Sequence, residues 1–219
     1  MVTRMCLLLL FVVAPALLDS AQVDSAQVKT IAQLPLRTRA QIIATAKTFV
    51  GHKWAPNRPN LRASCKGTYT SDWKEGQQVE GVPYNWGGAD TPEMFDRKLA
   101  QGLAAGSHSR YGVLSCTTGV DCSGFVAFCW RGAGTTHDMG TTTLRTIGGK
   151  PKDNWFTDLK PGDALVKPGS HVVLFAGYNP DGTFNIYEAS GSAARVIYHK
   201  TTWSRFTGYI PLRYKNIDE

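Results

Sequence analysis

The sequence has no long apolar run beyond its first residues. The early run, Cys6 to Leu18, follows the basic Arg4 and precedes the small residues Ser20 and Ala21. This order is typical of a secretory signal peptide, which we predict at residues 1–21; an uncleaved membrane anchor is the alternative. No cysteine directly follows the run, which excludes a lipoprotein signal. No later segment approaches the roughly 20 apolar residues that span a bilayer, so we expect no stable membrane insertion.

Dense runs of Lys or Arg are also missing, although the formal net charge is +7. The predicted signal peptide carries one basic and one acidic residue, so its removal leaves this charge unchanged. A basic exported protein suits an anionic surface such as a cell wall or lipid headgroups. We expect no nucleic-acid partner, because such partners are usually bound through clustered basic residues.

Cysteine is scarce, and no two cysteines form a C-x-x-C pair, so a structural zinc site is not expected. Cys6 would leave with the signal peptide. Export would allow disulfides, and three connectivities are open if all the remaining cysteines are joined. These cysteines are Cys65, Cys116, Cys122 and Cys129.

Helical patterns come early in the chain. Apolar residues share one side of a predicted helix over 37–50, with Thr38 as N-cap and Gly51 as stop. A second helix is predicted over 91–103, where a threonine precedes a proline in the first turn. The stretch 52–82 has no periodicity and is rich in Pro, Asn, Gly and Trp, which predicts a long ordered loop.

Strand patterns follow residue 151. Helices first and antiparallel strands second indicate an α+β fold. The polar stretch 22–35 reads as a flexible leader, so the folded domain is predicted at 36–219 as a single unit. The predicted strands are "DALVK", "HVVLFAGY", "TFNIYEA", "ARVIYHK" and "FTGYIPLRY".

The stretch "GVDCSGFVAFCW" contains two cysteines with different surroundings. Cys122 stands where a loop should become a helix, and the N–H groups and dipole of a helix start favour the thiolate. Those N–H groups could also receive an oxyanion. A disulfide half or a buried thiol remains open for Cys122. Cys129 lies among large apolar residues and is predicted to pack in the core.

His171 is the best candidate for a base, because it opens the most apolar strand, where an imidazole can be held rigidly. Glu188 could accept from its second nitrogen, since the "NPDG" turn would bring its strand back beside His171. A strand-capping histidine and a solvent-facing carboxylate remain the alternatives. The other histidines are predicted to be solvated surface residues; they are His52, His108, His137 and His199.

These motifs together resemble the NlpC-type cell-wall cysteine peptidases, a bacterial branch of the papain-like fold. The resemblance extends from Gln41 to about Tyr214. It includes the first helix, the Pro-Tyr-x-Trp-Gly-Gly signature, the nucleophile motif, the turn before the first strand and the histidine strand. In this sequence they read "IIATAKTFVG", "VPYNWGG", "DCSGFV", "LKPGDAL" and "HVVLFAGY".

The resemblance implies a papain-like fold, with helices packed on an antiparallel sheet of about five to six strands. It also implies Cys122 as nucleophile, His171 as general base and Glu188 as the third polar residue. That third residue is usually His, Asn or Gln in the family, so a glutamate is a departure. For substrate, the resemblance implies that a peptide's free amino end is held by two residues, Tyr84 and Asp121. Two more residues of the same motifs are assigned to substrate binding, Trp86 and Ser123. No cofactor or metal is implied.

Two insertions depart from the compact family pattern, at Lys53 to Gly81 and at Asp90 to Val120. They flank the signature and the nucleophile, so we expect them to shape the cleft. Cys65 and Cys116 lie one in each insertion, and we predict that they pair and leave Cys122 free. Closing a loop of about 50 residues would stabilise the fold by a few kcal/mol.

The leading hypothesis is a secreted cysteine hydrolase that cleaves amide bonds in peptidoglycan stem peptides, with peptidoglycan or a peptide-like substrate as its partner. One alternative is an N-acetylmuramoyl-L-alanine amidase on the same catalytic core. Another is acyl transfer on other amides or on lipid. A non-catalytic wall-binding module is the alternative of a different class. The sequence leaves the oligomeric state open.

Overall fold

Three α-helices lie in the part of the chain that the computed structural model describes, residues 34–134, 136–151 and 157–219. The first, α1, is Arg39–Val50. The Thr38 side chain accepts from the backbone of Gln41, whose side chain accepts in return from the Thr38 N–H, and the helix ends at Gly51. This reciprocal capping satisfies N–H groups that have no partner inside the helix. The predicted first helix is confirmed.

The other two helices also begin at side-chain caps. Helix α2 is Pro92–Ala100, and the Thr91 hydroxyl accepts from the N–H of Met94. Helix α3 is Cys122–Arg131, and the Asp121 carboxylate accepts from the N–H of Gly124. The predicted second helix is confirmed over most of its length. Cys122 is the first residue of α3, so a loop does become a helix at the predicted place.

A six-stranded antiparallel sheet follows the helices. Its spatial order is β5-β4-β3-β2-β6-β1, and every neighbouring pair is antiparallel. The chain therefore has the predicted α+β arrangement, with helices packed on a C-terminal antiparallel sheet of six strands. The strands are β1 Gly148–Gly149, β2 Ala164–Lys167, β3 His171–Tyr178, β4 Phe184–Ser190, β5 Arg195–Thr201 and β6 Ile210–Tyr214.

The last predicted strand is shorter than expected. Residues Trp203–Phe206 form a 3₁₀ turn, and Gly208 adopts a φ of 81°. This left-handed conformation suits glycine and interrupts an extended chain. Strand β6 therefore begins only at Ile210.

The sheet is covered on both faces, which explains why β3 is continuously apolar rather than alternating. One face packs against the helices through a core that includes Phe125, Trp130 and Leu174. The other face carries a second cluster beneath the 3₁₀ turn, with Phe175 and Phe206 among its members.

The two insertions are ordered and tied together. The pair Lys53–Trp54 and Val79–Glu80 is antiparallel, and Ala104–Ala105 runs parallel to Thr117–Thr118. The predicted disulfide between Cys65 and Cys116 is confirmed, with 5.8 Å between the two Cα atoms. Two further short 3₁₀ turns lie in these loops, at Arg58–Leu61 and Ser109–Tyr111, and another at Leu144–Thr146 precedes β1.

The predicted signal peptide at 1–21 and most of the predicted leader at 22–35 lie outside the described residues and stay predictions. The end of that leader is hydrogen-bonded to the domain. The Leu34 carbonyl accepts from the side chain of Asn216 at 2.6 Å, and the Pro35 carbonyl accepts from the Tyr214 hydroxyl at 2.8 Å. Beside them, Arg37–Thr38 pairs in parallel with Ile217–Asp218. None of the helices in the described part of the chain has the length and apolar character needed to cross a membrane.

Candidate active site

Cys122 lies at the bottom of a pocket of about 290 Å³. Its side chain opens into this pocket although the residue is only 4% exposed. Residues from four separate parts of the chain line the same pocket, among them Trp86, Val113, His137 and Ser170. The thiol is therefore largely covered and borders a pocket built from several segments of the chain.

Glycine lets the start of α3 pack directly on the Pro-Tyr-x-Trp-Gly-Gly signature. The Asp121 N–H donates to the Gly88 carbonyl at 3.0 Å. A Cβ atom on Gly124 would lie 2.4 Å from that same carbonyl oxygen. The backbones can approach this closely only because no side chain stands between them. The signature therefore fixes the position of Cys122.

Burial and, to a smaller extent, the neighbouring Asp121 carboxylate raise the pKa of the Cys122 thiol to about 12, which makes the thiol neutral at physiological pH. The N–H groups of Val172, Ser123 and Cys122 itself act in the opposite direction. The predicted effect of the helix start is thus present, but the cost of burying a charge outweighs it. A base must remove the proton when the thiol reacts.

Cys129 is the other free cysteine of the described residues. It is completely buried in the core between the helices and the sheet. Burial raises the pKa of its thiol well above the usual range. The prediction that Cys129 packs in the core is confirmed.

His171 is the first residue of β3, and both of its neighbours in the chain lie near Cys122. The N–H of the next residue, Val172, acts on the Cys122 thiol. The preceding residue, Ser170, lines the Cys122 pocket. The Nε2 atom of His171 lies 2.8 Å from Oε1 of Glu188. This contact fixes the ring and leaves Nδ1 for another partner.

The register of the strands brings Glu188 to His171. Leu174 of β3 pairs with Tyr187 of β4, so Glu188 lies diagonally across from His171 on the same face. Tyr187 points to the opposite face. Both residues are buried because both faces of the sheet are covered, at 5% exposure for Tyr187 and 2% for Glu188. The predicted contact between His171 and Glu188 is present.

Glu188 receives four contacts. Besides His171, its Oε2 lies 2.8 Å from Nε2 of His199, and Arg205 donates to Oε1 at 2.6 Å and to Oε2 at 2.9 Å. Burial raises the pKa of Glu188, but the contacts with His171, Arg205 and His199 outweigh burial and hold the pKa well below its usual range. Glu188 is therefore a carboxylate at all but strongly acid pH.

Asp121, the residue before Cys122, also receives four contacts. Its Oδ1 accepts from the Gly124 N–H at 2.8 Å and the Ser123 hydroxyl at 3.0 Å. Its Oδ2 accepts from the Gly87 N–H at 3.1 Å and lies 2.7 Å from Nε2 of His137. The hydrogen bond with Asp121 raises the pKa of His137, although burial of the ring lowers it.

The remaining predicted substrate residues surround this carboxylate. Tyr84 is 8% exposed, and burial raises the pKa of its hydroxyl strongly, with added contributions from nearby Cys122 and Asp121. Ser123 is buried, with its hydroxyl bonded to Asp121. Trp86 is 37% exposed at the pocket rim. The structure thus brings all four residues to the region of Cys122.

Sequence reasoning missed four residues of this region. His137 and His199 were expected to be solvated surface residues. That interpretation is wrong, because each side chain contacts a buried carboxylate. Arg205 was not considered. Tyr209 was also missed. Burial raises the pKa of its hydroxyl most, and nearby Glu188 and Cys122 raise it further, while Arg205 lowers it. For His199 a signal existed: Ile197 pairs with Glu188, which places His199 diagonally beside Glu188. For His137 we find no such signal.

The other two histidines also face carboxylates, His52 with Asp96 and His108 with Asp72, each at 2.8 Å. Within the described ranges, no group of three or more His, Cys, Asp or Glu side chains is arranged to hold a metal ion.

No protein-family model matches the chain, and the comparison with curated proteins found no significant match. Among solved structures, the chain is similar to the peptidoglycan hydrolase RipB from Mycobacterium tuberculosis. The two share 21% sequence identity, the match covers 91% of this chain and 71% of that one, and the TM-score is 0.43. The likeness is distant, so the roles proposed below rest on this chain's own residues.

Proposed function

We propose that this protein is a secreted cysteine hydrolase that cleaves amide bonds in peptidoglycan stem peptides. The observation that carries the proposal is that Cys122 begins a helix and its thiol faces the N–H of Val172, the residue after His171, whose Nε2 is held by the buried Glu188. A nucleophile, a base and an orienting carboxylate in this order are the requirements of acyl transfer by a thiol.

The first step is attack by Cys122 on the scissile carbonyl. Because the thiol is neutral at rest, Nδ1 of His171 takes its proton as the S–C bond forms. The N–H groups of Val172, Ser123 and Cys122 face the sulfur, and those at the helix start, of Cys122 and Ser123, are proposed to receive the developing oxyanion. Glu188 stabilises the imidazolium from its other nitrogen.

The second step releases the two products in turn. The C–N bond breaks, the leaving amine takes the proton from His171, and the acyl group stays on Cys122 as a thioester. Water then attacks the thioester while His171 accepts its proton, and the free acid and the thiol are regenerated. Neither step requires a cofactor.

The substrate class rests on three features of the chain. The first is the ordered set of motifs that resemble NlpC-type peptidases. The second is the net charge of +7, which suits an anionic wall polymer. The third is the disulfide between Cys65 and Cys116, which is expected of an oxidising compartment outside the cytosol. Residues 1–21 would direct export and then be removed from the mature protein.

Tyr84, Trp86, Asp121 and Ser123 are proposed to position the substrate. Trp86 and Ser123 line the pocket together with Cys122. Trp86 combines a large apolar surface with an exposed edge, which suits contact with a peptide. Asp121 lines the pocket next to Cys122 and raises the pKa of its thiol, and Tyr84 lies near both residues.

Digestion of purified peptidoglycan by the wild type, Cys122→Ala and Cys129→Ala tests the proposal, with released fragments identified by mass spectrometry. We expect Cys122→Ala to abolish release and Cys129→Ala to retain it. The two cysteines share a helix, so the second variant controls for loss of a thiol. Undiminished release by Cys122→Ala would refute the proposal. The fragment masses also separate cleavage within the stem peptide from cleavage at the sugar's lactyl group.

A further inference from the structure

The four acceptor positions of Asp121 are all filled from within the chain. A carboxylate offers about four lone-pair directions. Two of these accept backbone N–H groups, from Gly124 and Gly87, and one accepts the Ser123 hydroxyl. The last faces Nε2 of His137 at 2.7 Å. A cationic group of a substrate would therefore have to displace a donor of the protein before it could bind this carboxylate.

His137 is the donor that could be displaced, because it is the one that comes from outside the helix start and the signature. Its side chain is 28% exposed and lines the Cys122 pocket. Its Nε2 also lies 3.3 Å from the Ser123 hydroxyl. The ring thus stands between the buried carboxylate and the space that substrate would enter.

The segment that carries His137 is anchored beside it. Asp138 accepts two hydrogen bonds from Arg131 at the end of α3, at 2.6 and 2.7 Å. Farther along the segment, Gly140 and Thr141 line the same pocket as His137. The imidazole is therefore presented to Asp121 by a loop that also forms one wall of the pocket.

The charges near His137 favour its protonated form. Asp121 contributes most and Asp138 adds to it, while burial opposes them. The other titratable groups that face Asp121 are Tyr84 and Cys122, both of which are neutral at physiological pH. Asp121 and a protonated His137 cancel, so the inner end of the pocket holds no unpaired negative charge.

We propose that His137 determines substrate specificity by serving as the cationic partner of Asp121. Because this partner comes from within the chain, the pocket selects substrates without a free ammonium group near the scissile bond. The inference rests on the proposed amide hydrolysis. It runs against the role for Asp121 that the family resemblance implies. Acyl portions whose amino group is blocked or lies within a longer chain fit this pocket, whereas a free amino terminus would compete with the His137 ring.

Two peptides that differ only in a free or acetylated amino terminus test the inference in a kcat/KM comparison. The wild type is expected to prefer the acetylated peptide. His137→Ala should move the preference toward the free amine by on the order of tenfold or more, mainly through KM, because a charged hydrogen-bond partner of Asp121 is removed. His137→Gln, which keeps a neutral donor, should move it less. His52→Ala removes another histidine–carboxylate pair and serves as the control.

A wild type that prefers the free amine, with a preference unchanged in His137→Ala, would overturn the inference and leave the hydrolase proposal intact. Binding without turnover provides a second readout in the inactive Cys122→Ala background. There, adding His137→Ala should tighten binding of the free-amine peptide, measured by calorimetry, and leave the acetylated peptide unchanged. The inference would also be overturned if the free-amine peptide bound with equal affinity to Cys122→Ala with and without His137→Ala. Failure of the wild type to cut any wall fragment would instead count against the proposed function.

Discussion

The candidate site contains two buried carboxylates, Asp121 and Glu188, and each receives four contacts, but the donors differ in kind. Asp121 is held by two backbone N–H groups, one hydroxyl and one histidine. Glu188 is held only by side chains that are or can become cationic, namely two histidines and one arginine. Backbone donors stay in place when a side chain changes, whereas side-chain donors are left unpaired. Asp121 therefore serves mainly to hold the start of α3 in place, whereas Glu188 serves mainly to balance the positive charge around His171.

Glu188→Ala is expected to have the largest effect. It leaves the Arg205 guanidinium partly buried without its partner and frees the ring of His171. We expect a loss of about 3–5 kcal/mol in the free energy of unfolding, as for a broken buried pair. Activity should fall by a factor of about 10³ or more, since the base loses its orienting group. Urea denaturation and steady-state kinetics measure the two losses. Activity within tenfold of the wild type would show that Glu188 does not orient His171.

Asp121→Asn should cost less stability than Glu188→Ala. Asparagine caps a helix about as well as aspartate, so the contacts to Gly124 and Ser123 can persist. The expected loss in the free energy of unfolding is about 1 kcal/mol, because the charged hydrogen bond with His137 becomes a neutral one. The pKa of His137 should fall, because the group that raises it most is neutralised. Nuclear magnetic resonance titration of the His137 ring checks this shift. A loss equal to that of Glu188→Ala would remove the distinction between the two carboxylates.

The contacts of Glu188 and the contact between His137 and Asp121 should give the free energy of unfolding opposite dependences on pH. Glu188 has a folded pKa below its unfolded value, so its contribution is complete above about pH 4.3 and is lost as the pH falls further. His137 has a folded pKa above its unfolded value, so its contribution is complete below about pH 6.5 and is lost as the pH rises through the folded pKa.

Unfolding free energies measured across the pH range separate these contributions. Glu188→Gln should flatten the acid limb of the stability curve and leave the limb above about pH 6.5 in place. His137→Gln should do the reverse. If either variant flattens both limbs, the two sets of contacts are coupled rather than independent.

His199→Gln is expected to have the smallest effect. Arg205 still contacts both oxygens of Glu188, so the carboxylate keeps its position. We expect kcat to fall by a few-fold, corresponding to about 1 kcal/mol for one hydrogen bond. A loss as large as that of Glu188→Ala would make His199, rather than Arg205, the residue that fixes Glu188.

Local signals in the sequence predicted much of the fold. Each helix begins at a side chain that accepts from the N–H three residues further on, at Thr38, Thr91 and Asp121. These helix starts can therefore be predicted from local sequence without tertiary structure. The pairing of His171 with Glu188 was also accessible, because a short turn joins their strands. Contacts that depend on tertiary structure could not be predicted. Arg205, for example, lies 17 residues from Glu188 and reaches it from the 3₁₀ turn after β5.

The protonation of Cys122 shows a further limit of sequence reasoning. The helix start was identified correctly, and it acts on the thiol in the expected direction. Its effect is outweighed by burial beneath the signature and the insertions, whose depth no local pattern reveals. The same holds for His137, which meets Asp121 because of the course of the loop after α3.

The central claim is that the substrate's acyl group passes through Cys122 with His171 as base. Rapid quenching of the enzyme with a stem peptide, followed by intact-mass and peptide mapping, tests it most directly. The account predicts a thioester adduct on Cys122 in the wild type and none in His171→Ala. Product release without any adduct on Cys122, or an adduct that forms equally well in His171→Ala, would contradict it.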